Sequence, residues 1–177
     1  MKYIIQVFLL LLISTATFAQ TAEVKEKMIS LDEKNYHIDY PANWDLDQSR
    51  AGAEFFIFSK LTGEEDKLKE NINLIIQDLS GHNIKDLDAF VTLSENQVKT
   101  ILKGVKILSS ERVKSENSEF QKLLYSGEMG VYNLTFLQYY WVENNKAYVL
   151  TFTSETTQYD QYKDLALQIL DSFKIKN

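Results

Sequence analysis

Most of the chain alternates apolar and polar residues with a period of two, and two stretches show a helical period instead. A period of two is typical of a strand with one buried face, whereas apolar residues three or four positions apart indicate an amphipathic helix. The first helix is predicted over 84–103 and the second within 157–175. The predicted strands are 35–40, 54–60, 71–79, 105–115, 118–126, 131–143 and 146–154.

Both predicted helices carry signals for their ends. Asn83 and Asp86 can cap the start of the first helix, and Gly104 lies where a helix C-terminus favours a positive φ. Thr157 and Asp160 have the spacing of a capping box at the start of the second helix. These signals support two separate helices, one in the middle of the chain and one at its end.

The segment WVENNKAY predicts one hairpin together with its register. Asparagine tolerates the positive φ that a two-residue type I′ turn requires, so Asn144 and Asn145 are expected to form the turn. The register then places six large apolar residues on one face, which we expect to lie in the core. They form the pairs Trp141–Tyr148, Tyr139–Leu150 and Leu137–Phe152.

The opposite face of this hairpin is mixed and supplies the candidate binding residues. Polar side chains flank one aromatic ring there, and a polar group beside a rigid ring suits recognition of a partner. The candidates are Gln138, Tyr140, Thr151 and Thr153. Two interpretations stay open, because this face is either accessible or covered by a crossing helix or the N-terminal lead. Leu134 and Phe136 would share the face, which implies a bulge or a cover on both sides of the sheet.

The first residues have the pattern of a secretory signal peptide. Lys2 precedes an apolar run from Val7 to Ile13, and Thr17 and Ala19 stand where a signal peptidase reads the chain. The run is too short for a membrane span, which needs roughly 20 apolar residues. The predicted organisation is a signal peptide over 1–19, an N-terminal lead over 20–33 and a single domain over 34–177.

Cleavage after Ala19 would leave a periplasmic or secreted protein that begins at Gln20. The chain has no cysteine, so we expect no lipid anchor, no disulfide scaffold, no thiolate metal site and no cysteine nucleophile. No later segment resembles a membrane span, so we expect no membrane insertion after cleavage. The formal net charge is −6, and loss of Lys2 makes it more negative, which argues against nucleic acid as a partner.

The chain contains two histidines, which are its only imidazole groups. His37 alternates with the apolar residues of its predicted strand and points away from their face. Ser80, His82 and Asp86 lie close in the sequence and could form an acid–base group. A polar turn that caps the following helix is the preferred interpretation, because a catalytic triad is recognised by geometry and not by closeness in sequence.

Two pairs of carboxylates are the candidates for a cation site. Neither the pair Asp45 and Asp47 nor the pair Asp86 and Asp88 has the glycine and distal glutamate of a calcium loop. A solvated loop explains the first pair, and a favourably charged helix N-terminus explains the second. The sequence therefore predicts no cofactor, although the fold could still bring the four carboxylates together.

The run QYYWVE could form an aromatic platform for a sugar or a peptide. Of its three rings, the hairpin register places only Tyr140 outside the predicted core, so core packing is the preferred interpretation.

The only proline of the chain belongs to a motif that points to a family. Pro41 ends a strand at the start of the motif Tyr-Pro-x-x-Trp. Together with the closing ILDSFKI and the order of the elements from about Lys34 to Ile175, this motif resembles the PsbP-like family. The matching residues are Tyr40, Pro41, Trp44, Leu170, Ser172 and Phe173.

The resemblance implies an α+β fold with a central antiparallel β-sheet flanked by helices, a PsbP-like αβα sandwich. It carries over no catalytic residue, because the family's characterised members are accessory or adaptor proteins with differing partners. We therefore expect an exported, non-enzymatic binding or accessory protein whose partner is an unidentified protein or small ligand. The alternative is a small exported hydrolase whose acid–base residues converge from separate loops.

Overall fold

The computed structural model describes residues 26–115 and 118–176, so the predicted signal peptide and Gln20 lie outside the described part. The helices are α1 (Leu87–Ile101) and α2 (Tyr159–Ser172). The strands are β1 (Met28–Asp32), β2 (Tyr36–Pro41), β3 (Asp45–Asp47), β4 (Phe55–Phe58), β5 (Asn71–Asp78), β6 (Lys103–Lys114), β7 (Glu119–Met129), β8 (Tyr132–Glu143), β9 (Lys146–Glu155) and β10 (Lys174–Ile175).

Two antiparallel sheets and two helices make up the fold. Seven strands form the central sheet in the order β3-β4-β5-β9-β8-β7-β6, and the smaller sheet has the order β1-β2-β10. The helix α1 packs on β6, β7 and β8, whereas α2 packs on β2 and β9. The central sheet is therefore covered on both faces, and the predicted antiparallel α+β architecture is confirmed.

Three short strands were not predicted. The strand β1 lies within the stretch predicted as an N-terminal lead, and it pairs with β2 from Met28 opposite Pro41 to Asp32 opposite His37. The fold thus begins before residue 34. The sequences of β1, β3 and β10 are only two to five residues long, so they form by pairing with a neighbouring strand and their own alternation is too short to predict them.

The proline motif closes one end of the core. Trp44 donates its backbone N–H to the carbonyl of Pro41 at 3.0 Å, which turns the chain directly after β2. The Trp44 ring is buried and meets the ring of Tyr162 on α2 edge-on, with centroids 6.2 Å apart. The ring of Trp44 therefore covers this end of the core.

The predicted β8–β9 hairpin has the register that the sequence indicates. Asn144 and Asn145 have φ values of 51° and 58°, and Trp141 pairs with Tyr148. The apolar face of the hairpin lies in the core beneath α2. At its margin, the hydroxyl of Tyr139 donates a hydrogen bond of 2.8 Å to Asp171 of α2.

The opposite face of the hairpin forms a second core beneath α1. Leu134 and Phe136 are buried there, and β8 pairs with both of its neighbours without a register shift. Of the two explanations that the sequence allows for these residues, a cover on both faces is therefore the one observed. The α1 helix is anchored over this face by apolar side chains on its inner side, such as Phe90 and Val91.

The predicted helix caps have different outcomes. Asp86 is the N-cap of α1 and accepts a hydrogen bond of 2.9 Å from the backbone N–H of Ala89. Gly104 has the expected positive φ of 64°, but it lies inside β6, where the pairing with β7 shifts. The predicted capping box of Thr157 and Asp160 is wrong, because α2 begins after Gln158 without a side-chain cap.

Candidate functional site

A groove lies between α1 and the mixed face of the central sheet. Its volume is about 310 Å³, and its floor is formed by side chains of β5, β7, β8 and β9. The helix supplies one wall because its inner face turns Phe90, Ser94 and Val98 toward the sheet. The residues of the floor are Ile75, Gln77, Tyr125, Met129, Phe136, Gln138, Tyr140 and Val149.

No residue that lines this groove carries a charge, although charged residues make up 25% of the chain. Apolar side chains predominate, and the polar ones are hydroxyl or carboxamide groups. Burying a charged ligand here would leave it without a counter-charge, which is costly. The groove therefore suits an uncharged ligand with apolar parts.

Apolar side chains also stand exposed along the edge of the groove. Ile101 at the end of α1 is 69% exposed, Met129 at the end of β7 is 45% exposed, and Ile75 of β5 is 39% exposed. Exposed apolar side chains that gather around a concave site are typical of a surface that contacts another molecule. The three residues extend the apolar character of the groove out to its opening.

Three of the four predicted binding residues form a hydrogen-bonded chain beneath the groove. The hydroxyl of Tyr140 donates to Oε1 of Gln138, and Nε2 of Gln138 donates to Oγ1 of Thr151 at 2.9 Å. Thr151 faces Gln138 across the β8–β9 pair. These two hydrogen bonds fix the orientation of the Gln138 carboxamide, which is half-buried and lines the groove.

Of the two interpretations left open for this face, cover by a crossing helix is the one observed at Tyr140. Tyr140 is only 1% exposed because α1 crosses above it, and the ring of Phe90 meets it edge-on at 5.8 Å. Burial raises the pKa of the Tyr140 hydroxyl. Thr151 is 6% exposed and serves as a support for Gln138. Of this set, Gln138 and Tyr140 line the groove, and Gln138 is the more exposed of the two.

Thr153 lies beside the groove and does not line it. It is half-buried and pairs with Phe136 of the groove floor across the β8–β9 ladder. Gln138, Thr151 and Asn73 lie next to one another across β8, β9 and β5, and so form one polar row of the sheet. Thr153 belongs to the next row, so its binding role stays a prediction.

Ser94 is the residue of the groove that the sequence interpretation missed. It is buried in α1, four residues from both Phe90 and Val98, and it lines the groove with them. A small polar residue within the apolar stripe of an amphipathic helix is the signal that could have identified it. Its hydroxyl has no hydrogen-bond partner among the described residues.

The structure does not assemble an acid–base group around His82. The carboxylate of Asp86 caps α1, and the backbone N–H of Ser80 is bonded to Asp78. No hydrogen bond joins the side chains of Ser80, His82 and Asp86 in the described residues. The interpretation of this segment as a turn that caps the helix is confirmed for Asp86.

His37 lies between two carboxylates on the small sheet. Its Nδ1 is 3.0 Å from Asp32, and its Nε2 is 3.2 Å from Asp39. The hydroxyl of Ser30 donates to Asp39 at 2.6 Å, so it bonds a carboxylate and not the imidazole. The nucleophile–base contact of a serine hydrolase is therefore absent from this cluster, and neither histidine lines the groove.

The four candidate carboxylates for a cation do not come together. Asp45 pairs with Lys60 and Lys69, and Asp47 pairs with Arg50. Hydrogen bonds from Ser49 and Arg50 lower the pKa of Asp47 to about 2. Asp88 pairs with Arg112, and no group of three or more potential metal ligands occurs in residues 26–115 and 118–176.

Comparison with known proteins places this arrangement in a family. The sequence profile of PsbP matches residues 28–175, which is nearly the whole of the described fold. The chain belongs to the PsbP family. No curated protein matches the sequence at a significant level. The family match begins at Met28, where β1 begins, so it includes the strand that precedes the predicted domain boundary.

Solved structures share the PsbP fold at low sequence identity. Cyanobacterial PsbP (CyanoP) from Synechocystis sp. PCC 6803 matches with a TM-score of 0.62 and 14% identity, covering 84% of this chain and 92% of that chain. LpqN of Mycobacterium tuberculosis, involved in cell envelope biogenesis, matches with a TM-score of 0.63 and 14% identity, covering 85% and 91%. The Ran-binding protein Mog1p of Saccharomyces cerevisiae matches with a TM-score of 0.58 and 11% identity, covering 85% and 96%.

These similar structures establish the architecture of the PsbP domain. They do not show a shared partner, because all three sequence identities are low. Within the part of the chain that the structure describes, no helix has the length and apolar character needed to cross a membrane.

Proposed function

We propose that this PsbP-family protein is an exported, non-enzymatic accessory protein that holds a partner in the groove beside α1. The observation that carries the proposal is a groove with apolar walls and no charged lining residue, whose opening is ringed by exposed apolar side chains. Such a site provides contact area and hydrogen bonds for binding. It provides no acid, base or nucleophile pair for catalysis.

The similar structures support a binding role without defining its partner. Mog1p is named as a Ran-binding protein, and LpqN is described as involved in cell envelope biogenesis. Export is supported by the charged, apolar and small residues of the first 19 positions. The hydrolase alternative gains no support, because His37 and His82 both lie away from the groove.

A pair of charge substitutions in the last turn of α1 tests the proposal. Ile101→Lys places a charge at the opening of the groove, whereas Thr100→Lys places the same charge on an exposed neighbour that does not line it. Tagged wild-type and variant proteins would be recovered from the cells that produce them, and the co-purifying proteins would be quantified.

The proposal predicts that a specific co-purifying protein is lost with Ile101→Lys and retained with Thr100→Lys. Equal retention by both folded variants would show that the groove is not the binding site. Both positions are exposed, so neither substitution should unfold the domain, and thermal unfolding checks this.

A further inference from the structure

The residue Ser94 is largely buried, but its hydroxyl has no hydrogen-bond partner among the described residues. Ser94 is 9% exposed, and it faces the groove from the middle of α1. On the same helix, Thr92 and Thr100 donate to carbonyls four residues back at 2.9 and 3.0 Å, but Ser94 makes no such bond. A ligand that covers this hydroxyl without bonding it would leave a buried polar group unpaired, which is unfavourable. A ligand that offers it a hydrogen bond is therefore favoured.

The carboxamide of Gln138 offers a second, oriented hydrogen-bonding group. Its oxygen accepts from Tyr140 and its nitrogen donates to Thr151, which leaves one N–H and one lone pair for a ligand. Since both bonds hold the amide in place, a ligand does not have to order it. Preorganised groups of this kind reduce the entropy cost of binding.

Two further carboxamides stand at the edges of the groove. Gln77 of β5 and Gln97 of α1 line it, are exposed, and have no side-chain hydrogen bond among the described residues. Each carboxamide presents both a donor and an acceptor, which is the combination that a peptide group also presents. An alkyl chain would satisfy none of these groups, and a charged side chain would find no counter-charge.

The size of the groove limits how much of a ligand it can enclose. A volume of about 310 Å³ lies at the lower end of the range for small-molecule pockets, so one or two apolar side chains fill it. Ile75, Ile101 and Met129 at the opening would then contact the flanking residues of a longer chain. The groove therefore fits a short part of an extended molecule better than a compact one.

We infer that the groove binds an uncharged segment of a partner polypeptide, with apolar side chains inserted beside Phe90 and main-chain groups bonded to Ser94 and Gln138. This inference rests on the proposed function and names the class of partner. A peptide is the expected ligand because the site combines carboxamides, an unpaired hydroxyl and apolar walls without any charge.

Selection from a displayed library of random peptides tests the inference. The exported protein would be the bait, and the variant Ser94→Tyr, whose larger side chain fills the groove, would remove peptides that bind elsewhere. Enriched peptides would then be synthesised with blocked ends and titrated into isotope-labelled protein, with backbone amide shifts as the readout. Octyl glucoside, an uncharged amphiphile without peptide groups, would be titrated in parallel.

The expected result is enrichment of uncharged peptides with apolar residues that shift the amides of α1 and β8. Ser94→Ala should weaken their binding by about 2- to 10-fold, as loss of one hydrogen bond does, whereas Thr92→Ala on the outer face of α1 should not. Replacing the inserted apolar residue of the peptide by Lys or Glu should weaken binding further, since the groove has no counter-charge.

Three outcomes would overturn the inference in distinguishable ways. Charged peptides, or peptides that bind Ser94→Tyr equally well, would show that the groove does not recognise uncharged segments. If octyl glucoside shifts the groove amides and no peptide is enriched, the groove binds amphiphiles, so the proposed function stands without the peptide. If neither probe affects the groove, the proposed function falls as well.

Discussion

The ring of Phe90 meets the ring of Tyr140 edge-on, with centroids 5.8 Å apart and an interplanar angle of 68°. This contact joins the middle of α1 to the mixed face of β8. It buries the ring of Tyr140, which the hairpin pattern alone could not assign to core or surface. The groove lies beside this contact. The candidate site therefore depends on how α1 is held against the sheet.

Removing the hydroxyl of Tyr140 should disturb the groove without unfolding the domain. Tyr140→Phe keeps the ring beside Phe90 but takes away the hydrogen bond to Gln138. We expect a loss of about 0.5–1.5 kcal/mol in the free energy of unfolding, measured by urea denaturation. Peptide binding should weaken as well, because the Gln138 carboxamide loses one of the two bonds that orient it.

A matched substitution separates this effect from a general loss of a tyrosine hydroxyl. Tyr132→Phe changes a half-buried tyrosine of the same strand that does not line the groove. Unchanged binding in Tyr132→Phe together with weaker binding in Tyr140→Phe supports the orienting role. Equal binding by both variants contradicts it.

Trp44 should contribute strongly to stability because it closes one end of the core. The Trp44→Ala substitution removes a buried ring that contacts Tyr162, and we expect it to cost about 3–5 kcal/mol, as truncation of a buried aromatic residue does. Leu61→Ala, at an exposed apolar position, is the control and should change stability by less than about 0.5 kcal/mol. A loss for Trp44→Ala as small as that of the control would mean that the ring does not support the core.

Glu70 should make the stability of the domain fall as the pH rises. The side chain is fully buried, burial raises its pKa, and the Ser59 hydroxyl bonds it at 3.1 Å on Oε2. A carboxyl whose pKa is higher in the folded than in the unfolded state favours folding at pH values below the unfolded pKa. That contribution is lost as the pH rises through the folded pKa. Its Oε1 has no hydrogen-bond partner among the described residues, so burial outweighs the hydrogen bonds that favour the ionised form.

Unfolding measured across a pH series tests this account with Glu70→Gln. The stability of Glu70→Gln relative to wild type should increase as the pH rises above the usual range of a glutamate. Glu65→Gln, at an exposed position in the same β4–β5 loop, should show no such trend. Parallel pH profiles for wild type and Glu70→Gln would contradict a buried, protonated Glu70.

Both histidines should be dispensable for binding. Replacing His37 and His82 together by glutamine leaves the groove unchanged, and the contacts of His37 with Asp32 and Asp39 are partly exposed and so contribute little. Binding of a selected peptide should stay within a few-fold of wild type. A large loss in a double variant that still folds would revive the hydrolase alternative.

Export is tested by the N-terminus of the protein recovered outside the cytoplasm. Mass spectrometry should find a chain that begins at Gln20, because cleavage is expected after Ala19. A retained N-terminus in a membrane fraction would contradict the predicted localisation.

The sequence predicted local features better than the contacts between elements. The β8–β9 register followed from Asn144 and Asn145, because a two-residue turn with positive φ fixes which residues face each other. In contrast, β1 depends on pairing with β2, and its five residues carry no pattern strong enough to predict it alone.

The candidate site could be predicted only in part. The hairpin pattern assigned Gln138 and Tyr140 to a mixed face, but the position of α1 above that face is a tertiary relationship that no local pattern contains. Ser94 was overlooked because the apolar stripe of α1 was defined by its apolar members alone. A site between a helix and a sheet becomes visible only when both surfaces are known together.

A photo-crosslinking amino acid placed on α1 tests the central claim, that the groove holds a partner, most directly. Position Gln97 lines the groove, and its neighbour Asn96 is also exposed but does not line it. In the cells that produce the protein, we predict a crosslink from position 97 to the partner that Ile101→Lys fails to retain, and little from position 96. Equal crosslinking from both positions, or none from position 97 to a partner that still co-purifies, would contradict the claim.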